Sequence, residues 1–167
     1  MRSRREARGK IKSVAALLPI VRRAKSSGRT VVVTNGCFDL LHAGHIRLLE
    51  QAKRLGNFLI VAINSDRSVR TLKGPGRPIV SQRDRALVLA GLSSVDYVTI
   101  FDELTPARVI ERLHPQVLVK GADWGASQII GREILERDHG RVVRIPLVKG
   151  YSTSRLIARI TSSGSRR

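Results

Sequence analysis

Cysteine is nearly missing from this chain: Cys37 is the only one among 167 residues. An internal disulfide framework is excluded, and the composition fits a reducing compartment. Aromatic residues make up only 4%. No strongly basic segment is interleaved with the aromatics that would stack on exposed bases. Acids are scarce too, with 13 Asp and Glu against 31 Lys and Arg, a net charge of +18. Long apolar runs are lacking, and nothing approaches the roughly 18–20 residues of a bilayer span. A secretory leader is not expected either. MRSRREARGKIK is basic, but a short amphipathic stretch follows it instead of an apolar core and a small-residue cleavage site. A cytoplasmic chain without a membrane partner is the expectation.

What is present is 42% hydrophobic residues, enough for a globular core. The excess charge is mostly arginine and is scattered. Arg2, Arg4, Arg5, Arg8, Arg166 and Arg167 sit in the tails, and the rest spread over expected helix surfaces. This pattern suits polyanionic small molecules such as nucleotides better than a nucleic acid. A basic nucleic-acid-binding protein is the rival from another class.

Residues 1–29 read as a basic arm followed by a helix over 11–26, with Pro19 as a kink or break. Residues 30–161 read as one domain and 162–167 as a flexible tail. Within the domain, strands are expected at Val31–Thr34, Phe58–Ile63, Tyr97–Phe101, Val117–Val119 and Arg141–Ile145. Helices are expected at Ala43–Leu55, over 82–91 behind a Ser81 cap, from Thr105-Pro106 to Leu113, over 126–138, and at Thr153–Ile160. Residues 64–80, with Gly74, Pro75, Gly76 and Pro78, read as a loop. Alternating strands and helices predict an α/β fold: a doubly wound, five-stranded parallel sheet with helices on both faces. The nearly all-apolar strands agree, because a strand buried on both faces shows no alternation. Ligands of such sheets bind beyond the carboxyl ends of the strands, where strand order reverses. The loops after the first and fourth strands should therefore build the site.

The first of those loops is Thr34-Asn35-Gly36-Cys37-Phe38-Asp39-Leu40-Leu41-His42-Ala43-Gly44-His45. A glycine lets the chain turn, and a helix then opens with free N–H groups, a natural anion site. His42 and His45, three apart, share one face of its first turn. Two imidazoles beside amide donors suit a triphosphate whose α-phosphorus is under attack, because charge builds on its oxygens in the transition state. Zinc ligation and packing in the core are the competing readings of the pair. For zinc, the remaining histidines lie elsewhere: His114 and His139 are both near expected helix C-termini.

TNGCFDLLHAGH resembles the signature of the HxGH nucleotidyltransferases, the group of cytidylyltransferases and related adenylyltransferases. Lys120-Gly121-Ala122-Asp123-Trp124 resembles the nucleotide-contacting loop of that family. Gly150-Tyr151-Ser152-Thr153-Ser154 resembles its second phosphate-binding element. The likeness covers about residues 30–160 and implies a Rossmann-like fold. Cytidylyltransferases usually carry Arg-Thr just before the last element, where this chain has Leu147 and Val148. Members that make ADP-heptose lack that pair as well. They also resemble this chain in VAINSD (61–66), LKGPGRPI (72–79), QRDRALVLAGLSSVDYV (82–98) and VKGADW (119–124). No kinase-sized region accompanies these motifs, so the expectation is a stand-alone adenylyltransferase.

The resemblance implies transfer of AMP from ATP to a heptose 1-phosphate, with Mg²⁺ held mainly through phosphates and no protein ligand certain. A cytidylyltransferase acting on another phosphorylated alcohol is the alternative. His42 and His45 would hold the phosphates and the developing charge. Thr34, Asn35, Gly36, Cys37 and Phe38 would lie against the α-phosphate. Lys120, Gly121 and Asp123 would border ribose and base, with Trp124 as packing. Ser152, Thr153 and Ser154 would offer hydroxyls and amides to the β- and γ-phosphates. Asp39, Asn64, Asp66, Lys73 and Arg83 would face the acceptor, with Lys73 also serving catalysis by binding its phosphate. Three competing readings stay open: Asp39 as a turn cap, Lys73 as a surface lysine, and Arg83 paired with Asp84 or Asp96. Cys37 has no base partner that would make it a nucleophile. The helix at 11–26 either covers the sheet or mediates a homodimer.

Overall fold

The computed structural model describes residues 6–122, 129–146, 148 and 150–164. Five strands, β1 (Val31–Gly36), β2 (Phe58–Asn64), β3 (Tyr97–Phe101), β4 (Val117–Gly121) and β5 (Arg141–Ile145), form one parallel sheet. Its order is β3-β2-β1-β4-β5. The chain winds outward to β3, then returns to the other side of β1 to start β4. The order therefore reverses between β1 and β4, as the alternating pattern predicts.

Successive residues of each strand feed opposite cores. Val32, Leu59, Val61, Val98 and Val119 pack against Leu48, Leu49 and Ala52 of α3 (Ala43–Arg54) and Ala86, Leu89 and Ala90 of α5 (Gln82–Gly91). Val31, Val33, Ile60, Ala62 and Leu118 pack against Leu17, Val21 and Ala24 of α2 (Val14–Ser26), Val109, Ile110 and Leu113 of α6 (Ala107–Leu113), and Leu135 of α7 (Arg132–Arg137). Both sheet faces are covered, which is why the strands carry no polar alternation. Each fully buried Val, Leu or Ile contributes about 1.5–3 kcal/mol of transfer free energy.

Several local expectations are corrected. The loop expected over 64–80 contains α4 (Asp66–Lys73), capped by Ser65, whose hydroxyl accepts from the Ser68 amide. The helix expected from 126 is described from Arg132 to Arg137. The last helix, α8 (Thr153–Gly164), runs on into the expected tail. Within the expected basic arm lies a helical turn, α1 (Ala7–Lys10). Lys10 Nζ caps the carbonyls of Leu92 and Val95, and the Lys12 amide donates to Val98. Pro19 lies inside α2 without ending it. Among the described residues no helix is long and apolar enough to cross a membrane.

Candidate active site

The chain leaves β1 in a loop that folds back over its own strand end. Phe38 adopts φ 45°, a left-handed value rare for a bulky residue, and its buried ring lies against Gly36. A Cβ on Gly36 would meet that ring at 3.2 Å. The Phe38 ring centroid stands 5.3 Å from that of His45. Thr34 is buried and donates to the Val119 carbonyl, tying the end of β1 to β4 at the switch point. Its hydroxyl proton is thereby spent on the scaffold.

His42 is the extended N-cap residue of α3 (φ −142°, ψ 170°), and its carbonyl accepts the His45 amide at 2.9 Å. This first turn brings the two imidazoles together. Their rings stack with centroids 3.9 Å apart and planes 20° from parallel. Burial pulls the His42 pKa below its usual value. Burial, with the neighbouring His42, pulls His45 down to about 4. Both rings are therefore neutral near pH 7 in the free protein. The Nδ1 atoms of both rings and Oδ1 of Asn35 are buried without a hydrogen-bond partner. Orphaned buried polar atoms are uncommon in folded proteins, and three along one loop mark a place where a ligand supplies partners.

Asn35, His42 and His45 border a cleft of about 650 Å³ at the carboxyl ends of β1 and β4. The structure gathers most of the expected site there: Thr34 through Asp39, His42, His45, Asn64, Lys73, Lys120, Gly121 and Ser152 through Ser154. The Thr153 hydroxyl donates to the Leu40 carbonyl, so the opening of α8 is fastened to the β1 loop. Asp123 and Trp124 lie outside the described residues.

Of the expected acceptor-side residues, Asp39, Asn64 and Lys73 line the cleft and Asp66 and Arg83 do not. Asp39 lines the cleft, but its carboxylate is already engaged by the amides of Ile79 and Val80 and by Arg77 Nε at 2.7 Å. Burial alone would raise its pKa, yet these donors outweigh burial and hold it below its usual value. Asp39 thus fastens the 77–80 segment to the β1 loop. Asp66 pairs with Arg85 at 2.7 Å and does not line the cleft. Arg83 is exposed on α5, also away from the cleft. Asn64 lines it while donating to Ser68. Burial raises the pKa of the Cys37 thiol, which keeps it protonated and unreactive.

Three residues escaped the sequence reading. Tyr151 lines the cleft with its ring centroid 6.0 Å from that of His42. Arg77 lines it beside Asp39. Arg85 is buried under the loop and donates to the Cys37 and Val80 carbonyls. Its signal was available: Arg85, Ala86, Leu89 and Ala90 share the buried face of α5. An arginine on an apolar face demands an internal partner.

The cytidylyltransferase-like family profile matches residues 33–159. The chain belongs to the cytidylyltransferase-like family. The matched span runs from β1 into α8 and contains every cleft-lining element. Curated relatives include "Bifunctional protein HldE" of Citrifermentans bemidjiense, 50% identical over 92% of this chain and 32% of the relative. The protein of the same name from Koribacter versatilis is 52% identical over 90% of this chain and 31% of the relative. The chain therefore spans about a third of the length of these relatives. Among solved structures, a lipopolysaccharide core biosynthesis protein from Thermoplasma volcanium superposes with TM-score 0.61. It is 24% identical and covers 75% of this chain and 100% of its own. Pantothenate synthetase from Thermus thermophilus gives TM-score 0.52 at 22% identity, over 83% of this chain and 62% of its own. At such identities the two structures carry the cytidylyltransferase-like fold and nothing finer.

Proposed function

We propose that this chain transfers AMP from ATP to D-glycero-β-D-manno-heptose 1-phosphate, giving ADP-heptose and pyrophosphate. One observation carries the reading. Two stacked neutral imidazoles, with an unpaired Asn35 oxygen beside them, open onto a cleft also bordered by Lys120 and Ser152–Ser154. The imidazoles, Lys120 and the hydroxyls of Ser152–Ser154 make a donor array of triphosphate size. The resemblance of residues 61–66 and 72–79 to ADP-heptose-forming enzymes supports the acceptor. Val148, an apolar cleft-lining residue where cytidylyltransferases place threonine, favours ATP over CTP.

The chemistry is in-line attack of the sugar phosphate's oxygen on the α-phosphorus, with pyrophosphate leaving. A phosphate monoester is already ionised near pH 7, its second pKa being about 6, so no general base is needed. His42 and His45 act by donating to oxygens that gain charge as the bond to pyrophosphate breaks. The β1-loop amides and the opening of α8 orient the phosphates. Lys73, at the end of α4, meets the acceptor's phosphate, and Asn64 borders the same pocket. Magnesium would travel with the nucleotide. The described residues gather no cluster of three or more metal-ligating side chains, and Asp39 is spent on the 77–80 segment. The ion would be held mainly through the phosphates.

A pyrophosphate-release assay with ATP or CTP, against heptose 1-phosphate and glycerol 3-phosphate, tests the reading. Release with ATP and heptose 1-phosphate alone is expected. Preference for CTP with glycerol 3-phosphate would replace it with the cytidylyltransferase reading.

A further inference from the structure

A second cavity, of about 740 Å³, lies at the opposite end of the sheet. Arg29 precedes β1, Phe58 begins β2 and Tyr97 begins β3, so this cavity opens at the amino ends of the strands. Its far wall is α2, through Pro19, Ile20, Arg23 and Ala24. The N-terminal segment closes it: Ile11 bridges Val98 in parallel, and the Lys12 amide donates to the Val98 carbonyl at 2.9 Å. That docking carries Gly9 and Lys12 to the rim.

The lining has two chemistries. Phe58 and Tyr97 stack with ring centroids 6.4 Å apart, and Ile20 and Pro19 extend the apolar wall. Lys12, Arg23 and Arg29 supply three positive charges, and among the described residues no acid lines the cavity. Among the described residues none of the three takes part in an ion pair. Arg29 instead sits over the Phe58 ring, 5.7 Å from its centroid. Three like charges around one hollow repel each other, and an anion relieves that repulsion. A bare anion would use the cations and leave the ring-lined wall empty. A purely apolar guest would leave the charges unanswered.

We propose that this cavity is a second binding site, for a phosphorylated small molecule that carries a planar ring. Its phosphates meet Lys12, Arg23 and Arg29, and its ring lies along Pro19, Ile20 and Phe58. The volume suits a mononucleotide, since pockets for such ligands run from about 300 to 1,000 Å³. The site is independent of the cleft and of the proposed reaction, because none of its lining residues borders the cleft.

The test is a titration of the ¹⁵N-labelled chain with ADP, with pyrophosphate and with adenosine, followed by amide shifts. ADP is expected to move the amides of Gly9, Ala24, Ser27 and Phe58 as one saturating set. Amides at Gly36 and Gly44 report the cleft separately. The triple variant Lys12→Ala, Arg23→Ala, Arg29→Ala should weaken the first set at least about tenfold and leave the cleft set in place. Should that variant fail to fold, Arg23→Gln, at an exposed position, should weaken the same set about threefold and leave the cleft set in place. No shift of the first set at an ADP concentration of about 1 mM would overturn the proposal. So would shifts that persist in the variants, or that pyrophosphate or adenosine alone reproduces with equal affinity.

Discussion

Arg85, on α5, donates from its buried guanidinium to the backbone carbonyl of Cys37, in the loop after β1. The same side chain pairs with Asp66 at 2.7 Å and donates to the Val80 carbonyl at 2.9 Å. One charge thus joins the β1 loop, the start of α4 and the segment before α5. Asp39 ties the same segment to the loop, its carboxylate accepting from the amides of Ile79 and Val80. The β1 loop is thus held at Cys37 and Asp39, and the histidines that follow it line the cleft.

Arg85→Met would therefore strand the Asp66 carboxylate and two carbonyls. Breaking a buried pair by removing one partner costs about 3–5 kcal/mol. Because Asp66 is partly exposed, the low end of that range is expected in urea unfolding, together with a fall in kcat. A loss under about 1 kcal/mol would mean the network is incidental to the fold.

Gly44 separates the two histidines for a steric reason. A Cβ there would stand 3.0 Å from Cε1 and Nδ1 of His42 and 3.2 Å from Cβ of Tyr151. Gly44→Ala should leave the unfolding midpoint nearly unchanged, because the helix gains propensity. The His42 ring would be displaced, and kcat should fall on the order of tenfold to a hundredfold, as expected for a misplaced catalytic group. Unchanged kcat would show that the ring's position does not matter.

The histidines also predict a pH dependence. The folded-state pKa of His45 lies near 4, below the ordinary 6.5, so the folded protein binds this proton less readily than the unfolded chain. The contribution to stability is complete above pH 6.5 and is lost as pH falls from 6.5 towards 4. It amounts to at most about 3 kcal/mol. His45→Gln should flatten the decline in unfolding free energy between pH 6.5 and 4.5. An identical slope in both proteins would assign the decline to other groups. Anionic phosphates favour the protonated ring, so nucleotide binding should be accompanied by proton uptake at pH 6, measurable by calorimetry in two buffers.

The central strands were legible in the sequence because burial on both faces leaves continuous β-branched runs. Tyr97–Phe101 and the more exposed edge strand Arg141–Ile145 match residue for residue. The histidine pair was legible because a strand end, a glycine and a helix start lie together within twelve residues. α4 was hidden because glycine and proline dominate its surroundings, and Ser68 and Val69 are its only buried residues. The role of Asp39 was hidden for another reason. Its partners lie 38 to 41 residues downstream, and no local pattern encodes a pairing across that distance. The docking of residues 7–12 on the edge of β3 was hidden in the same way, since Lys10 finds its carbonyls 82 and 85 residues later.

The most direct test of the account is single-turnover AMP transfer, with saturating ATP and heptose 1-phosphate, in His42→Ala and His45→Ala. Each variant should bind ATP within a few-fold of the parent chain yet transfer AMP roughly 10²–10³-fold more slowly, the size of losing one transition-state donor. Transfer at the parent rate in either variant would contradict the assignment of the stacked imidazoles to the leaving charge.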